Sequence, residues 1–406
     1  MFTKTLLTLT AIILVFSACQ LQATVIPSTW VGGAGRNWED AINWNPPIVP
    51  DNSATNTFAV TIDAGTGEVS VILAYGHVID SIRCYGDVTF HASMQYAPVK
   101  LSLSDPSGLT NYNEVHTSAL GMRLIDIGGN VNNTPGADID FWGATVEGDL
   151  VNPTGGKVEI NGSVSAGNVT NDGDVLIADK FSVHGKLTNS GRIGLYNCGY
   201  DCEAFDNTVD GQVTGCGVSY CHSSWTNNGR ILATGGSLCL ALATAFGSMS
   251  NRGILTNDPL AVMSIKHLGS GLQPDANNLG TIEVNAGGGV AFDCNLVNEP
   301  NGVIKLLGGT LAAKTITQKS GATFQGFGGI TGNVVIDPNA IIKLSGPTNI
   351  VGDLAIGEGA TLEIEDGIVL VTGDLICSGG IIQTLNGTII IKGETKDGIC
   401  SRIFVD

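Results

Sequence analysis

Apolar residues in this chain come in short runs, often alternating with polar ones, as in "VEI", "VLI", "TLEIE" and "TIIIK". Few segments repeat apolar residues at three- and four-residue spacing, so the pattern predicts short strands and almost no helix. Between the runs stand Gly, Asn and Asp, the residues that turn a chain sharply. The punctuation is periodic. "GNVNNTPGADI", "GDLVNPTGGKV", "GNVTNDGDV" and "GKLTNSGRI" begin at Gly129, Gly148, Gly167 and Gly185, which are 19, 19 and 18 residues apart. Each copy places an apolar residue two after the glycine (Val131, Leu150, Val169, Leu187) and an asparagine four after it (Asn133, Asn152, Asn171, Asn189). Looser copies add Asn227, Asn251, Asn278 and Asn298. Toward the C-terminus "GNVVI", "GDLAI" and "GDLIC" keep only the first half of the pattern, at Gly332, Gly352 and Gly373.

A fixed period of this length marks a stacked repeat. About 20 residues are too few for a four-stranded propeller blade, and the Leu scaffold of a leucine-rich repeat is missing. They suffice for one coil of a parallel β-helix, two or three short strands joined by turns. The apolar residue of each copy then stacks in a buried column. The asparagines tolerate the turn, and stacked one coil apart they predict a ladder of amide hydrogen bonds. The expected architecture is an all-β solenoid of roughly a dozen coils, on the order of 60 Å long at the spacing of stacked strands. Residues 68–406 are assigned to it. Two stretches break the period and are read as inserted loops, about 93–120 and 194–224. From Asn189 to Asn227 is 38 residues where about one period is expected.

Composition narrows the function. With 56 Gly and 14% charged residues, the 406-residue chain is built for turns rather than charged surfaces. A net charge of -18 repels phosphate backbones, and no Lys/Arg cluster relieves it, so nucleic-acid binding is excluded. Residues 1–23 read as a secretory signal, with an apolar run from Leu6 to Ala18 and cleavage after Ala23. "FSAC" offers a rival, lipoprotein-type processing with anchoring at Cys19. No later run is long and apolar enough to span a bilayer. The expectation is an extracellular or cell-surface protein without a transmembrane segment.

Residues 24–67 hold three of the five tryptophans, Trp30, Trp38 and Trp44, together with Pro46, Pro47 and Pro50. Prolines block strand addition, so the segment is expected to cap one end of the solenoid. Its pattern W-x-G-G-x-G-x-N-W…N-W…P-D, from Trp30 to Asp51, resembles the start of bacterial secreted and autotransporter-type β-helix surface proteins. The resemblance implies a right-handed parallel β-helix with an adhesive or stalk-like role at a cell surface.

Candidate chemistry is concentrated in the second break. It holds Cys198, Cys202, Cys216 and Cys221, with His222 beside the last. In an exported chain these predict a disulfide-stapled loop, whose pairing the spacing leaves open among three connectivities. A zinc site of four thiolates, or three and an imidazole, is the alternative. Cys377 and Cys400, about one coil apart, are a candidate coil-bridging pair. Cys84, Cys239 and Cys294 stand singly and read as buried small residues. Tyr196, Tyr200, Tyr220 and Trp225 share the break with Asp201, Glu203, Asp206 and Asp210, a mixture suited to glycan or protein contact or simply to packing under a loop.

For catalysis, Asp138 with Asp140 and Asp172 with Asp174 are the carboxylate pairs. The first two would share one face of a strand. The six histidines (His77, His91, His116, His184, His222, His267) are scattered, and no G-x-S-x-G, H-E-x-x-H or P-loop occurs. No catalytic set, metal or other cofactor is therefore expected; calcium is the ion such scaffolds hold, and no residue set here asks for it. The leading expectation is a structural, adhesive or binding protein whose partner is a glycan or surface protein. The alternative is a carbohydrate-active β-helix enzyme with its site on the inserted loops.

Overall fold

The computed structural model describes residues 23–93, 99–118, 125–242, 248–257, 260–267, 275–396 and 400–404. The signal segment and Cys19 lie outside these. The described chain is a parallel β-solenoid of about 16 turns, 69% strand, on the order of 75 Å long at the usual strand spacing.

Each regular coil has three strands on three faces. Ile125–Gly128, Val131–Asn133 and Asp138–Phe141 make one coil; Ala144–Val146, Leu150–Asn152 and Lys157–Ile160 make the next. Neighbours pair in parallel and in register: Val131 with Leu150, Leu150 with Val169, Val169 with Leu187. Strands of three or four residues alternate inward and outward, so every second side chain is buried. The buried columns are Val, Ile, Leu and Phe, and they merge into one continuous core. That core is full. The void among Phe90, Leu101, Leu109 and Phe141 measures about 10 Å³, too small for more than a single water.

The amide ladder is present and longer than its sequence signal. Asn111, Asn133, Asn152, Asn171, Asn189, Asn207, Asn227, Asn251, Asn278, Asn298 and Gln318 stack along one corner. Each Nδ2 donates to the side-chain oxygen of the next at 2.7–3.0 Å. The second N–H closes the local corner: Asn133 donates to Ala137 O at 2.7 Å and Asn207 to Gly211 O at 3.0 Å. A buried amide thus satisfies itself between two coils and one turn, avoiding the cost of roughly 1–3 kcal/mol per unpaired group. Glycine follows at the corner because coils pass closely there. A Cβ on Gly191 would lie 2.1 Å from Gly173 O.

Both supposed insertions are coils, which accounts for two of the turns beyond the expected dozen. Residues 194–224 fall in Arg192–Asn207 and Gln212–Asn227, paired in parallel over most of their length, and Asn207 is the rung between Asn189 and Asn227. Of 93–120, the described part forms Val99–Leu103, Leu109–Asn111 and Glu114–Ser118, with Asn111 as its rung. Beyond either end of the ladder, apolar side chains and a thiol take the rung position: Ile62 and Cys84 before Asn111, and Ile336, Ile356 and Cys377 after Gln318.

At the N-terminal end Trp30, Trp38 and Trp44 are buried against one another, edge to face, with ring centroids 4.5–4.9 Å apart. Trp44 Nε1 donates to Trp38 O at 2.7 Å and Trp38 Nε1 to Pro50 O at 3.2 Å. Thr24–Trp30 pairs in parallel with Asn56–Leu73, but its other edge meets Trp44–Asn45 antiparallel. Parallel stacking therefore changes to an antiparallel pairing here. Glu39 ties this segment to the first coils. Burial pushes its carboxyl up, but hydrogen bonds from His77 and from the Ala74 and Tyr75 amides outweigh that and hold it below its ordinary value. A lowered carboxylate stabilises above its unfolded pKa and stops doing so as pH falls through the folded one. The cap is therefore expected to loosen only as pH falls below the ordinary glutamate value toward the lower folded one, and Glu39→Gln should flatten that acid limb. Tryptophan fluorescence against pH, wild type beside variant, checks this; identical profiles would rule Glu39 out as the cause.

At the other end a disulfide joins Cys377 and Cys400, Cα atoms 5.5 Å apart, tying the strand Leu375–Cys377 to the start of Ser401–Phe404. Among the described residues no helix is long and apolar enough to cross a membrane.

Candidate functional sites on the outer faces

With the core closed, two places on the outer faces stand out among the described residues. The first is a cleft of about 460 Å³ over Lys180–Asn189, Arg192–Asn207 and Gln212–Asn227. The register slips between Tyr196 and Cys198, and Asn197 takes a left-handed backbone at φ 57°, a conformation Asn accepts more readily than most residues. Opposite the slip Gly217 has φ 138°, and a Cβ there would sit 1.6 Å from Cys198 O. The bulge opens the cleft, which Asp179, Lys180, Asn197, Asp201 and Tyr220 line. On the outer side Asp201 Oδ1 lies 2.8 Å from His222 Nε2.

The aromatics of this region divide. Tyr196 and Tyr220 are exposed, while Tyr200, Phe205 and Trp225 are buried, Tyr200 tilted against Phe205 at 5.3 Å. Asp206 pairs with Lys186 at 2.8 Å. The four cysteines sit within strands and not on a protruding loop, and all four are free thiols in the structure. Cys202 and Cys221 are buried with their Sγ atoms 3.5 Å apart; Cys198 Sγ lies 2.6 Å from Ile177 O. Burial raises the Cys198 thiol pKa, and the contact with Cys221 raises that of Cys202 further. A shared zinc site is not assembled: among the described residues, the ligand atoms that converge within 4.8 Å belong to Asp87, Glu114 and His116. The single cysteines also divide. Cys84 and Cys294 are buried, but Cys239 is half-exposed, because Leu238 and Leu240 beside it take the inward positions.

The second place is a charged patch over Ser81–Ala92, Glu114–Ser118 and Asp138–Phe141. Parallel register aligns Asp87 with Glu114 and Asp138, and His116 with Asp140. His116 Nε2 lies 3.0 Å from Glu114 Oε1 and 3.6 Å from Asp87 Oδ1; its Nδ1 lies 3.6 Å from Asp140 Oδ2. Asp140 is held in turn by Trp142 Nε1 and Asn161 Nδ2, each at 2.8 Å. Asp138 and Asp140 do share this outer face, next to the pair Lys157–Glu159. Lys157 holds the Glu159 carboxyl below its ordinary value. Among the described residues, Asp87, Glu114 and His116 bring three ligand atoms close enough together to hold a cation. Asp172 and Asp174 do not join them: Asp172 accepts a hydrogen bond from Ser190, and Asp174 stands in register with Arg192.

Fold and surface together define a class: an all-β, three-faced parallel solenoid with a closed core, a buried amide ladder and its clustered charged side chains outside. No protein-family profile, curated protein or solved structure matches this chain.

Proposed function

We propose that this is a secreted or cell-surface solenoid with a structural and binding role, and that its partner, a glycan or a surface protein, engages the cleft beside Asn197 and Tyr220. The supporting observation is the contrast between a core void of about 10 Å³ and an outer cleft of about 460 Å³, within the size range of small-ligand sites. The amide ladder and glycine corners account for the recurrent residues as architecture. The Trp30–Asp51 resemblance and the apolar leader support export. Tyr220 offers a ring face and Asp201 a hydrogen-bond acceptor, the pairing that serves sugar and peptide ligands alike. A glycan array and a surface-protein panel should identify the partner. Tyr220→Ala is then expected to weaken binding about tenfold or more, about 1.4 kcal/mol; unchanged affinity would remove the cleft from the proposal.

A second reading, a carbohydrate-active enzyme, is favoured by the His116 patch, where three carboxylates surround one imidazole. Acidic polysaccharides incubated with the protein would then yield new reducing ends, and Asp140→Asn would abolish the release.

A further inference from the structure

Four cysteines lie on two neighbouring strands, and the strand geometry decides which can join. Cys198 and Cys202 are four residues apart on one extended strand, a span of about 13 Å at the usual rise. Cys216 and Cys221 are further apart on theirs. Both spans exceed the Cα separation of about 7 Å beyond which no disulfide closes. The crossed pairing fails for the same reason. Cys202 stands opposite Cys221 and Cys198 opposite Gly217, so Cys198–Cys221 is displaced by four residues along the strands and Cys202–Cys216 by five. One connectivity survives, and in it Cys202 meets Cys221. These two are in-register partners on adjacent rungs, where Cα atoms lie about 4.8 Å apart, inside the range disulfides occupy. Both side chains point into the core, and their Sγ atoms are already 3.5 Å apart.

We infer that Cys202 and Cys221 form a rung-to-rung disulfide in the interior of the coil, beneath the floor of the outer cleft. The reaction is thiol–disulfide exchange with a small-molecule or protein disulfide as oxidant. One cysteine, as thiolate, attacks the oxidant's S–S bond and releases one thiol. The second attacks the resulting mixed disulfide and releases the other. The two cysteines lose two electrons and two protons and gain one S–S bond; the oxidant gains both and leaves as two thiols. The timing follows from burial. In the closed coil both sulfurs are buried out of reach of an oxidant, and the neighbouring sulfur and the surrounding core raise the Cys202 thiol pKa. The bond therefore forms while this coil is still open, and once the coil closes over it a reductant is excluded equally. Tyr200 and Asp201 precede Cys202 directly, and Tyr220 precedes Cys221, so the bond fixes the two strands that carry the cleft. This holds whatever the cleft binds.

The test is a disulfide map of the full chain, refolded from denaturant in a glutathione redox buffer and alkylated before digestion. Chymotrypsin separates all four cysteines, because Tyr196, Tyr200, Phe205, Tyr220 and Trp225 punctuate the region. The expected product joins "DCEAF" (201–205) to "CHSSW" (221–225), in the wild type and in a Cys198→Ser/Cys216→Ser variant. The Cys377–Cys400 link in the same digest reports that the buffer oxidised the chain. Without denaturant, the Cys202–Cys221 link should resist reductant at concentrations that open an exposed disulfide. Alkylated Cys202 and Cys221 in a digest containing the Cys377–Cys400 link, or Cys202 joined to another cysteine, would overturn the inference.

Discussion

Replacing Asn189 by aspartate is expected to open the solenoid at its middle. Asn189 is fully buried; it accepts from Asn171 and donates to Asn207. A carboxylate keeps the acceptor and loses the donor. Its second oxygen then faces Asn207 Oδ1 and Gln212 O, which the Asn189 amide now contacts at 2.7 and 3.2 Å. An unpaired charge in such a place costs about 3–5 kcal/mol. Asn189→Ala, which leaves Asn171, Asn207 and Gln212 O each short of a partner but buries no charge, should cost less, about 1–3 kcal/mol per unpaired group. Because coils contact only their neighbours, the damage should be local. Amide hydrogen exchange should show lost protection centred on residues 171–227 while the C-terminal coils keep theirs. Thr188→Asp, one residue away on the outer side, is the control. Equal exchange in the two aspartate variants would mean the ladder contributes little.

The second large effect is expected at the cap. Trp44 is 2% exposed and packs its ring between Trp30 and Trp38 while its indole N–H holds Trp38 O. Trp44→Ala removes the centre of that cluster and should cost about 3–5 kcal/mol, the range for deleting a buried large aromatic. The consequence extends beyond stability. With Trp44–Asn45 detached, the edge of Thr24–Trp30 becomes a free template for another chain. Light scattering is expected to show concentration-dependent association of the variant at temperatures where the wild type stays dispersed. A variant as dispersed and heat-resistant as the wild type would show that the tryptophans do not seal the end.

The architecture was legible because the repeat writes one corner in the same letters each time: a buried amide, then glycine two to four residues on. Legibility failed where a coil kept the physics and changed the letters. Phe205-Asp206-Asn207 carries the same inward, outward, inward pattern as Leu187-Thr188-Asn189, but the leading glycine is gone and four cysteines draw the eye to a loop. Leu109-Thr110-Asn111 repeats the same order with its glycine one place closer. A search for apolar-x-Asn alone would have found both rungs. The Asn or Asp directly after the leading glycine also has a role that the repeat did not reveal. Asn130 Oδ1 accepts the Asp149 amide, Asp149 Oδ1 the Asn168 amide and Asn168 Oδ1 the Lys186 amide, a second and external ladder. The His116 patch was beyond reach for a different reason. Asp87 and Glu114 are 27 residues apart, and His116 precedes Asp140 by 24; only the register of three strands brings such distant letters together.

The ladder has a mechanical meaning as well. All its amides point one way, each coil handing its N–H to the next from Asn111 to Gln318. Load applied to the two termini runs along the stack, and each coil is held by its own short ladders and amide against one neighbour. Such an object yields like a spool, one turn at a time from an end. Each released turn of about 19 residues pays out on the order of 65 Å of extended chain while the turns behind it stay wound. Tethered at one end, it would act as an extensible line with a near-constant release force, and Cys377–Cys400 is the knot at one end of that line.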